Sequence, residues 1–218
     1  MKEKIILVGT GQHFNVVLYN LREQGKYEVA CAIDANASNR GKTLNGVYVE
    51  EIYENLEELK RKYGTNKFFI SFGSMKYRRE VYKRFVSMGW ESVNIIHPDA
   101  VVSPEAKLGK GILIECGCLV TPNPSIGDNV VINTGSQVNH DNIVESHVYI
   151  ASGVILSGGV TIKENTLLDD GVIVTLGTTV GADSIIGAGA VVTKNTSDKM
   201  VVYGNPAKEI RVNDNIGK

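Results

Sequence analysis

The hydrophobic pattern of the second half of the chain has a period of six. An aliphatic residue fills every sixth position without a gap: Val102, Leu108, Ile114, Val120, Ile126, Ile132, Val138, Val144, Ile150, Leu156, Ile162, Leu168, Val174, Val180, Ile186 and Val192. This period fits neither an α-helix nor an alternating strand, and it is a signature of the parallel β-helix. Three hexads per turn form a triangular prism, so the pattern predicts about five coils with the aliphatic side chains inside.

Glycine and aromatic positions agree with such a prism. Glycine recurs one residue after the aliphatic position, as at Gly109, and three residues after it, as at Gly111 and Gly117. These are turn positions, where glycine tolerates a positive φ. Thirteen of the fifteen Phe, Tyr and Trp residues lie in residues 1–96, which is expected if the prism is too narrow for rings.

The first 96 residues show a different pattern, in which buried strands alternate with helices. Apolar runs at 4–8, 27–34 and 67–72 predict strands, and amphipathic stretches at about 15–24 and 75–88 predict helices. This order predicts an α/β domain with a Rossmann-like parallel sheet. Ligands of such sheets bind beyond the carboxyl ends of the strands, where Gly9, Gly11, Asp34 and Gly73 lie.

The loop Gly9-Thr10-Gly11 is an incomplete dinucleotide fingerprint, because Phe14 stands where G-x-G-x-x-G has its third glycine. By itself the loop fits a tight turn as well as a phosphate site. Asp34 at the end of the second strand favours a ribose or nucleotide contact, and a helix N-terminus beside the loop favours a phosphate. NAD chemistry is disfavoured, since nothing downstream resembles a hydride-transfer domain.

Charge also divides the chain near His97-Pro98. Residues 1–96 hold 15 Lys and Arg and 11 Asp and Glu, a net charge of +4, and the remainder holds 8 and 13, a net charge of −5. We therefore predict two domains, 1–96 and 97–218.

Several function classes are disfavoured. The overall charge of −1 and the lack of a basic stripe with interleaved aromatics argue against nucleic-acid binding. No apolar run is long enough to span a bilayer and no signal peptide is recognisable, so we expect a cytoplasmic protein without membrane contact. Cys31, Cys116 and Cys118 are too few for a disulfide framework and lack C-x-x-C spacing.

The hexad V-N-H-D-N-I (138–143) lacks glycine and carries four polar side chains in a row. His140 lies two positions after the inward Val138, so it should project from the prism. One interpretation is a histidine that hydrogen-bonds across an interface between copies. The other is a general base, because an imidazole can accept a proton near neutral pH.

The repeat and the closing segment Gly204-Asn205-Pro206-Ala207-Lys208 resemble the hexapeptide acyltransferases, which have a left-handed β-helix. The linker N-I-I-H-P-D-A and the stretch I-N-T-G-S-Q-V-N-H-D are similar to one family among them. It contains the sialic-acid O-acetyltransferases and the N-acetyltransferases of UDP- and GDP-linked amino sugars, which serve glycan biosynthesis. The resemblance implies a homotrimer, acetyl-CoA bound between neighbouring prisms, and no metal.

The resemblance also implies the site residues. The catalytic positions match His140 as general base, Asp141 as its partner and Asn133 near the reacting centre. A backbone N–H near Gly158 would stabilise the oxyanion, and the amine would attack directly, without an acyl-enzyme. The substrate positions match Gly9, Thr10, Gly11, His13, Asp34, Gly73 and Arg78, and the coenzyme positions match Tyr149, Gly158, Asp170, Ala188 and Pro206. Lys194 lies near the C-terminal end of the prism, where it is either a contact for the coenzyme phosphates or a solvated surface residue.

Three alternatives remain at this point. A zinc β-helix enzyme of the γ-carbonic-anhydrase type needs three histidine ligands, but the repeat holds only His140 and His147. A non-catalytic nucleotide-binding scaffold would turn nothing over. O-acetylation of a free sugar acid, such as sialic acid, is a variant of the same chemistry.

Overall fold

A computed structural model of the chain describes residues 2–51 and 55–214. The chain divides into two compact units, Met1–Ile95 and Ile96–Lys218. The division falls within two residues of the change in charge and aromatic content at His97-Pro98.

The N-terminal unit is a parallel sheet with helices between its strands. Its main elements are β1 (Glu3–Val8), α1 (Gln12–Gln24), β2 (Tyr27–Ile33), β3 (Thr43–Leu44), β4 (Val47–Tyr48), α2 (Leu56–Tyr63), β5 (Lys67–Ile70), α3 (Met75–Ser87) and β6 (Glu91–Ser92). The sheet order is β2-β1-β5-β6, with every pair parallel. The predicted α/β class is confirmed. Phe68, Phe85 and Trp90 pack together in its core.

The helix α2 was not predicted from the apolar pattern, because it buries only Leu56 and Leu59. The sequence signal for this helix is its N-terminal cap, Asn55. The Asn55 side chain accepts a hydrogen bond from the Glu58 N–H at 3.1 Å and donates one to the Glu58 carboxylate at 3.0 Å. The first hydrogen bond satisfies a backbone N–H that an uncapped helix leaves free, and the second joins the two side chains.

The C-terminal unit is a parallel β-helix, as predicted. Its strands are β7 (Ile95–Ile96), β8 (Val101–Val102), β9 (Lys107–Leu108), β10 (Leu113–Ile114), β11 (Leu119–Val120), β12 (Ser125–Ile126), β13 (Val131–Ile132), β14 (Gln137–Val138), β15 (Ile143–Val144), β16 (Tyr149–Ile150), β17 (Ile155–Leu156), β18 (Thr161–Ile162), β19 (Leu167–Leu168), β20 (Ile173–Val174), β21 (Thr179–Val180), β22 (Ile185–Ile186), β23 (Val191–Val192), β24 (Met200–Gly204) and β25 (Ala207–Val212). The second residue of each pair up to β23 is the periodic aliphatic, and these side chains form one continuous core.

The β-helix has about six turns rather than the five predicted. Ile96 lies one hexad before Val102 and packs against the core. At the other end, β24 pairs with β22 after a break in the hexad register, so Val202 lies beside Ile186. The period could not show this coil, because the spacing from Ile186 to Val202 is sixteen residues instead of eighteen.

The three faces of the prism differ in the side chains that they present outward. We call them the first face (β7, β10, β13, β16, β19, β22, β24), the second face (β8, β11, β14, β17, β20, β23) and the third face (β9, β12, β15, β18, β21). The first and second faces carry mostly apolar residues at the outward position, such as Leu167 and Ile173. The third face carries mostly polar ones, such as Ser125 and Thr179.

Every helix among the described residues is too short or too polar to cross a bilayer.

Candidate active site

His140 and Asp141 form a hydrogen-bonded pair on the edge between the second and third faces. The His140 Nδ1 lies 2.9 Å from the Asp141 carboxylate, and the two side chains are 60% and 61% exposed. The hydrogen bond from His140 lowers the pKa of Asp141. Because an ionised carboxylate only accepts, the neutral imidazole carries its proton on Nδ1 and presents Nε2 as a lone pair. The pair therefore has the tautomer that a general base needs.

Gly158, one coil further along the same edge, packs against the His140 ring. A Cβ at this position would collide with Nε2 and Cε1 of His140. The two coils are also tied by a hydrogen bond of 2.9 Å from the Gly159 N–H to the His140 carbonyl. The Gly158 N–H has no acceptor among the described residues. It is thus a free backbone donor beside the ring.

Asn133 lies on a different edge, between the first and second faces. Its Nδ2 donates to the Tyr149 hydroxyl at 3.2 Å, and Tyr149 projects from the first face. The second face separates Asn133 from His140 within one chain. The structure therefore brings His140, Asp141 and Gly158 together, and separately Asn133 and Tyr149.

Three of the other four residues that we predicted to contact the coenzyme lie on the same two edges. Asp170 and Ala188 lie on the edge of Asn133, where the Asp170 carboxylate accepts from the Ser152 N–H at 3.1 Å. Lys194 follows β23 on the edge of His140. Pro206 lies in the turn of the β24–β25 hairpin, after a cis peptide bond.

The N-terminal unit holds a cavity of about 480 Å³ at the carboxyl ends of β1 and β2. Its lining is Val8, Gly9, Thr10, Gly11, Ile33, Asp34, Ala35, Asn36, Asn39, Phe72, Tyr77 and Val81. Four of the predicted substrate residues therefore share one cavity: Gly9, Thr10, Gly11 and Asp34. The position agrees with the rule for open parallel sheets.

Glycine at position 9 is required by the close approach of Phe72. Gly9 has a φ of +99°, and a Cβ there would collide with the Phe72 ring. Gly11 is the N-cap of α1, and the space beside it is open. The loop therefore leaves room over the N-terminus of α1, where the helix dipole favours an anion.

Asp34 connects the loop after β1 to the segment after β2 in the lining of the cavity. Its carboxylate accepts from the Thr10 N–H at 3.0 Å, from the Thr10 hydroxyl, from the Asn36 N–H at 2.8 Å and from Asn39 Nδ2 at 3.1 Å. Burial acts to raise the pKa of Asp34, but these hydrogen bonds outweigh it and lower the pKa. With four donors from the protein already bound, Asp34 fixes the Thr10 loop against the segment after β2.

Three predicted substrate residues do not line the cavity: His13, Gly73 and Arg78. Arg78 is 3% exposed, and its Nη1 donates to the carbonyls of Ile70 at 3.1 Å and Phe72 at 2.9 Å. Burial, with a smaller contribution from the charge of Arg78, lowers the pKa of His13 to about 4. His13 is therefore neutral at pH 7.

The cavity includes residues that the sequence analysis did not select, chiefly Phe72, Tyr77 and Asn39. Tyr77 is 54% exposed at the third position of α3. The available signal was an aromatic residue in the amphipathic stretch that follows β5. The direction of its side chain, however, depends on where α3 begins.

The described residues contain one group of three possible metal ligands: His97, Asp99 and Cys116. The His97 Nδ1 already accepts a hydrogen bond from the Asp99 N–H at 3.1 Å. A metal on that nitrogen would displace this hydrogen bond, so the local geometry favours a turn over a metal centre.

The N-terminal unit matches a known domain family. The profile of the PglD N-terminal domain covers residues 4–85. Among curated proteins, none matches the chain.

Solved structures match nearly the whole chain. The perosamine N-acetyltransferase PerB of Caulobacter crescentus, solved with CoA and GDP-perosamine, is 33% identical, with a TM-score of 0.87; the match covers 95% of this chain and 97% of that one. The acetyltransferase domain of PglB from Neisseria gonorrhoeae, solved with acetyl coenzyme A, is 30% identical, with a TM-score of 0.85 and coverage of 96% and 100%. WeeI of Acinetobacter baumannii, 23% identical with a TM-score of 0.82 over 95% and 100%, shares the fold.

Identity above 30% over both units, together with the parallel sheet and the β-helix, determines the family. The chain belongs to the hexapeptide-repeat acetyltransferases, in the family of sugar N-acetyltransferases with a PglD-type N-terminal domain.

Proposed function

We propose that the protein transfers the acetyl group of acetyl-CoA to the amino group of a nucleotide-linked amino sugar, with His140 as the general base. The observation that carries the proposal is the His140–Asp141 pair, in which Nδ1 contacts the carboxylate and Nε2 lies beside Gly158, whose N–H has no acceptor among the described residues. It supports base-assisted acyl transfer in a chain similar to an enzyme solved with CoA and GDP-perosamine.

The side chains present fit each part of this reaction. Acetyl-CoA supplies an activated acetyl group as a thioester. His140 Nε2 accepts the proton that the amine loses as its nitrogen attacks the carbonyl carbon. The Gly158 N–H donates to the carbonyl oxygen as negative charge develops on it. The C–S bond then breaks, and the thiolate of CoA receives a proton, which His140 can supply.

The cavity of the N-terminal unit is proposed as the nucleotide site. Apolar side chains of Val8, Ile33 and Phe72 and the exposed ring of Tyr77 suit a planar base. The positive end of the α1 dipole, next to Gly11 in the cavity lining, suits a phosphate. This assignment agrees with the positive charge of the first 96 residues.

A homotrimer is proposed from the outward residues of the prism. Two faces carry mostly apolar outward positions and the third carries mostly polar ones. Outward apolar residues that the chain itself leaves partly uncovered, such as Leu167 on the first face and Leu119 on the second, favour cover by another copy. A closed ring of three copies covers two faces of every prism. Asn133 and His140 lie on separate edges, which supports a site completed by a neighbouring copy.

The test is thiol release from acetyl-CoA with UDP- and GDP-linked 4-amino sugars and with free sialic acid. We expect turnover with one nucleotide-linked amine and a loss of at least about a hundredfold in His140→Ala, as for a general base. Glu105→Ala, an exposed turn residue, is the matched control and should keep full activity.

Other outcomes change the assignment. Turnover with sialic acid alone would identify an O-acetyltransferase. Full activity of His140→Ala would refute the role of the histidine, and the absence of both turnover and acetyl-CoA binding would favour a scaffold.

A further inference from the structure

A buried acid that the proposed mechanism does not use lies on the edge of Asn133. Glu115 is 5% exposed. One carboxyl oxygen, Oε2, accepts hydrogen bonds from the Thr134 N–H at 3.0 Å and the Thr134 hydroxyl at 2.7 Å. The other, Oε1, is buried and has no hydrogen-bond partner among the described residues.

Asn133 is the stacked neighbour of Glu115 in the next coil. The strands β10 and β13 that precede the two residues pair in register, and the Glu115 N–H donates to the Ile132 carbonyl at 3.0 Å. The Asn133 amide donates through Nδ2 to the Tyr149 hydroxyl. Its Oδ1 is buried and also has no partner among those residues. Two stacked side chains thus each bury an acceptor oxygen that has no donor, which native proteins avoid.

The net effect of the surroundings of Glu115 favours its neutral form. His97 holds the same position in the preceding coil, and Cys116 follows Glu115 in the chain. The Cys118 thiol donates to the Asn133 carbonyl at 3.2 Å, and burial raises the pKa of this thiol to about 11, so it stays neutral. Burial also raises the pKa of Glu115, although the Thr134 hydrogen bonds oppose the change.

We propose that Glu115 is a positioning residue that, as the neutral carboxylic acid, donates a hydrogen bond from Oε1 to Oδ1 of Asn133. One proton then satisfies both buried oxygens. It also fixes the orientation of the Asn133 amide, so that Nδ2 faces the Tyr149 hydroxyl. The consequence for acetyl-CoA rests on the proposed function, because Asn133 and Tyr149 are active-site residues only there.

The proposal gives a direction for the pH dependence of stability. A carboxyl whose folded-state pKa is raised binds its proton more tightly in the folded protein than in the unfolded one. Its contribution is complete below the unfolded pKa and is lost as the pH rises through the folded pKa. Glu115→Gln keeps a donor and an acceptor but does not titrate.

The first experiment does not depend on activity. The thermal midpoints of wild type and Glu115→Gln are measured between pH 4 and 9, with the infrared C=O band of a buried protonated carboxyl as a second readout. We expect wild type to lose stability relative to Glu115→Gln as the pH rises, and the band to be absent from the variant. Parallel pH curves, or a band that persists in Glu115→Gln, would overturn the proposal.

The second experiment tests the link to the coenzyme. Glu115→Ala leaves the Asn133 oxygen without a donor, so we expect KM for acetyl-CoA to rise roughly tenfold, the size of one lost buried hydrogen bond. Glu115→Gln should restore KM and make it independent of pH. If Glu115→Gln is as impaired as Glu115→Ala, the orienting role is wrong. If the stability result holds and no acetyl-CoA binds to wild type, the proposed function fails while the proton assignment stands.

Discussion

At the scale of single residues, the site depends on the absence of a side chain at Gly158. The His140 ring occupies the space that a side chain at this position would need. Asp141 sets the protonated nitrogen, and the absent Cβ leaves the other nitrogen accessible. The proposed base is therefore defined by three neighbouring groups on one edge of the prism.

Gly158→Ala should remove activity without unfolding the protein. Its Cβ would push the imidazole out of place, and we expect kcat to fall at least about a hundredfold, the typical contribution of a positioned base. Thiol release measures the effect, and circular dichroism checks the fold. Thr161→Ala on the third face is the control. If Gly158→Ala keeps wild-type kcat, His140 does not act from the position described.

Tyr77 should contribute to nucleotide binding through its ring. Stacking of a base on an aromatic side chain is worth roughly 1–3 kcal/mol. Tyr77→Ala should therefore raise KM for the nucleotide sugar about tenfold and leave KM for acetyl-CoA unchanged, whereas Tyr77→Phe should resemble wild type. Tyr19 on α1 is similarly exposed, at 51%, and does not line the cavity, so Tyr19→Ala is the control. Equal effects of the two alanine variants would count against stacking.

At the scale of elements, the start of α1 combines a helix N-terminus beside the cavity with a partly buried, neutral histidine. Gly11 begins the helix, and no acidic residue occupies its first turn. His13 in that turn has a pKa of about 4, lowered mainly by burial. The first turn thus carries no negative charge of its own, and protonation of the histidine at low pH should cost stability.

The N-terminal unit should lose stability between about pH 6.5 and pH 4. The folded pKa of His13 is depressed, so over this interval the unfolded chain binds the proton and the folded chain does not. The free energy of unfolding should fall by roughly 2–3 kcal/mol, the linkage expected from such a shift. Urea denaturation followed by Trp90, which is buried in this unit, measures it. His13→Gln should show a smaller dependence on pH; an identical dependence would assign the effect to other groups.

At the scale of the whole molecule, the proposed trimer depends on the two mostly apolar faces of the prism. Ile173 on the second face and Thr179 on the third face are outward residues of consecutive strands in one coil, and both are half-buried. Replacing each of them by a charged residue therefore tests, in a matched pair of variants, whether its face is part of an interface.

Ile173→Lys should dissociate the proposed trimer, and Thr179→Lys should not. A buried charge without a partner is strongly unfavourable at an interface, whereas the third face is proposed to remain in water. Analytical ultracentrifugation gives the mass of each variant, and isothermal titration gives acetyl-CoA binding. A monomeric wild type, or a trimer that survives Ile173→Lys, would contradict this arrangement.

The sequence by itself determined the fold, because local rules govern both units. Each hexad places one aliphatic inward regardless of distant contacts, so Val102 to Val192 predicted the β-helix from spacing alone. The additional coil was missed because the spacing before β24 is two residues short. Likewise, strands separated by helices predicted the parallel sheet, and Gly9, Thr10, Gly11 and Asp34 converge because strand ends share one edge.

The tertiary structure decided which side chains meet. Phe72 and Tyr77 line the cavity because of where β5 ends and where α3 begins. Asp34 accepts hydrogen bonds from Thr10, Asn36 and Asn39 because of the path of the loop. That Glu115 stacks below Asn133 depends on register between coils eighteen residues apart. The periodicity predicts the direction in which a side chain points. Packing decides which distant residues come into contact, and burial then shifts the pKa values of their titratable groups.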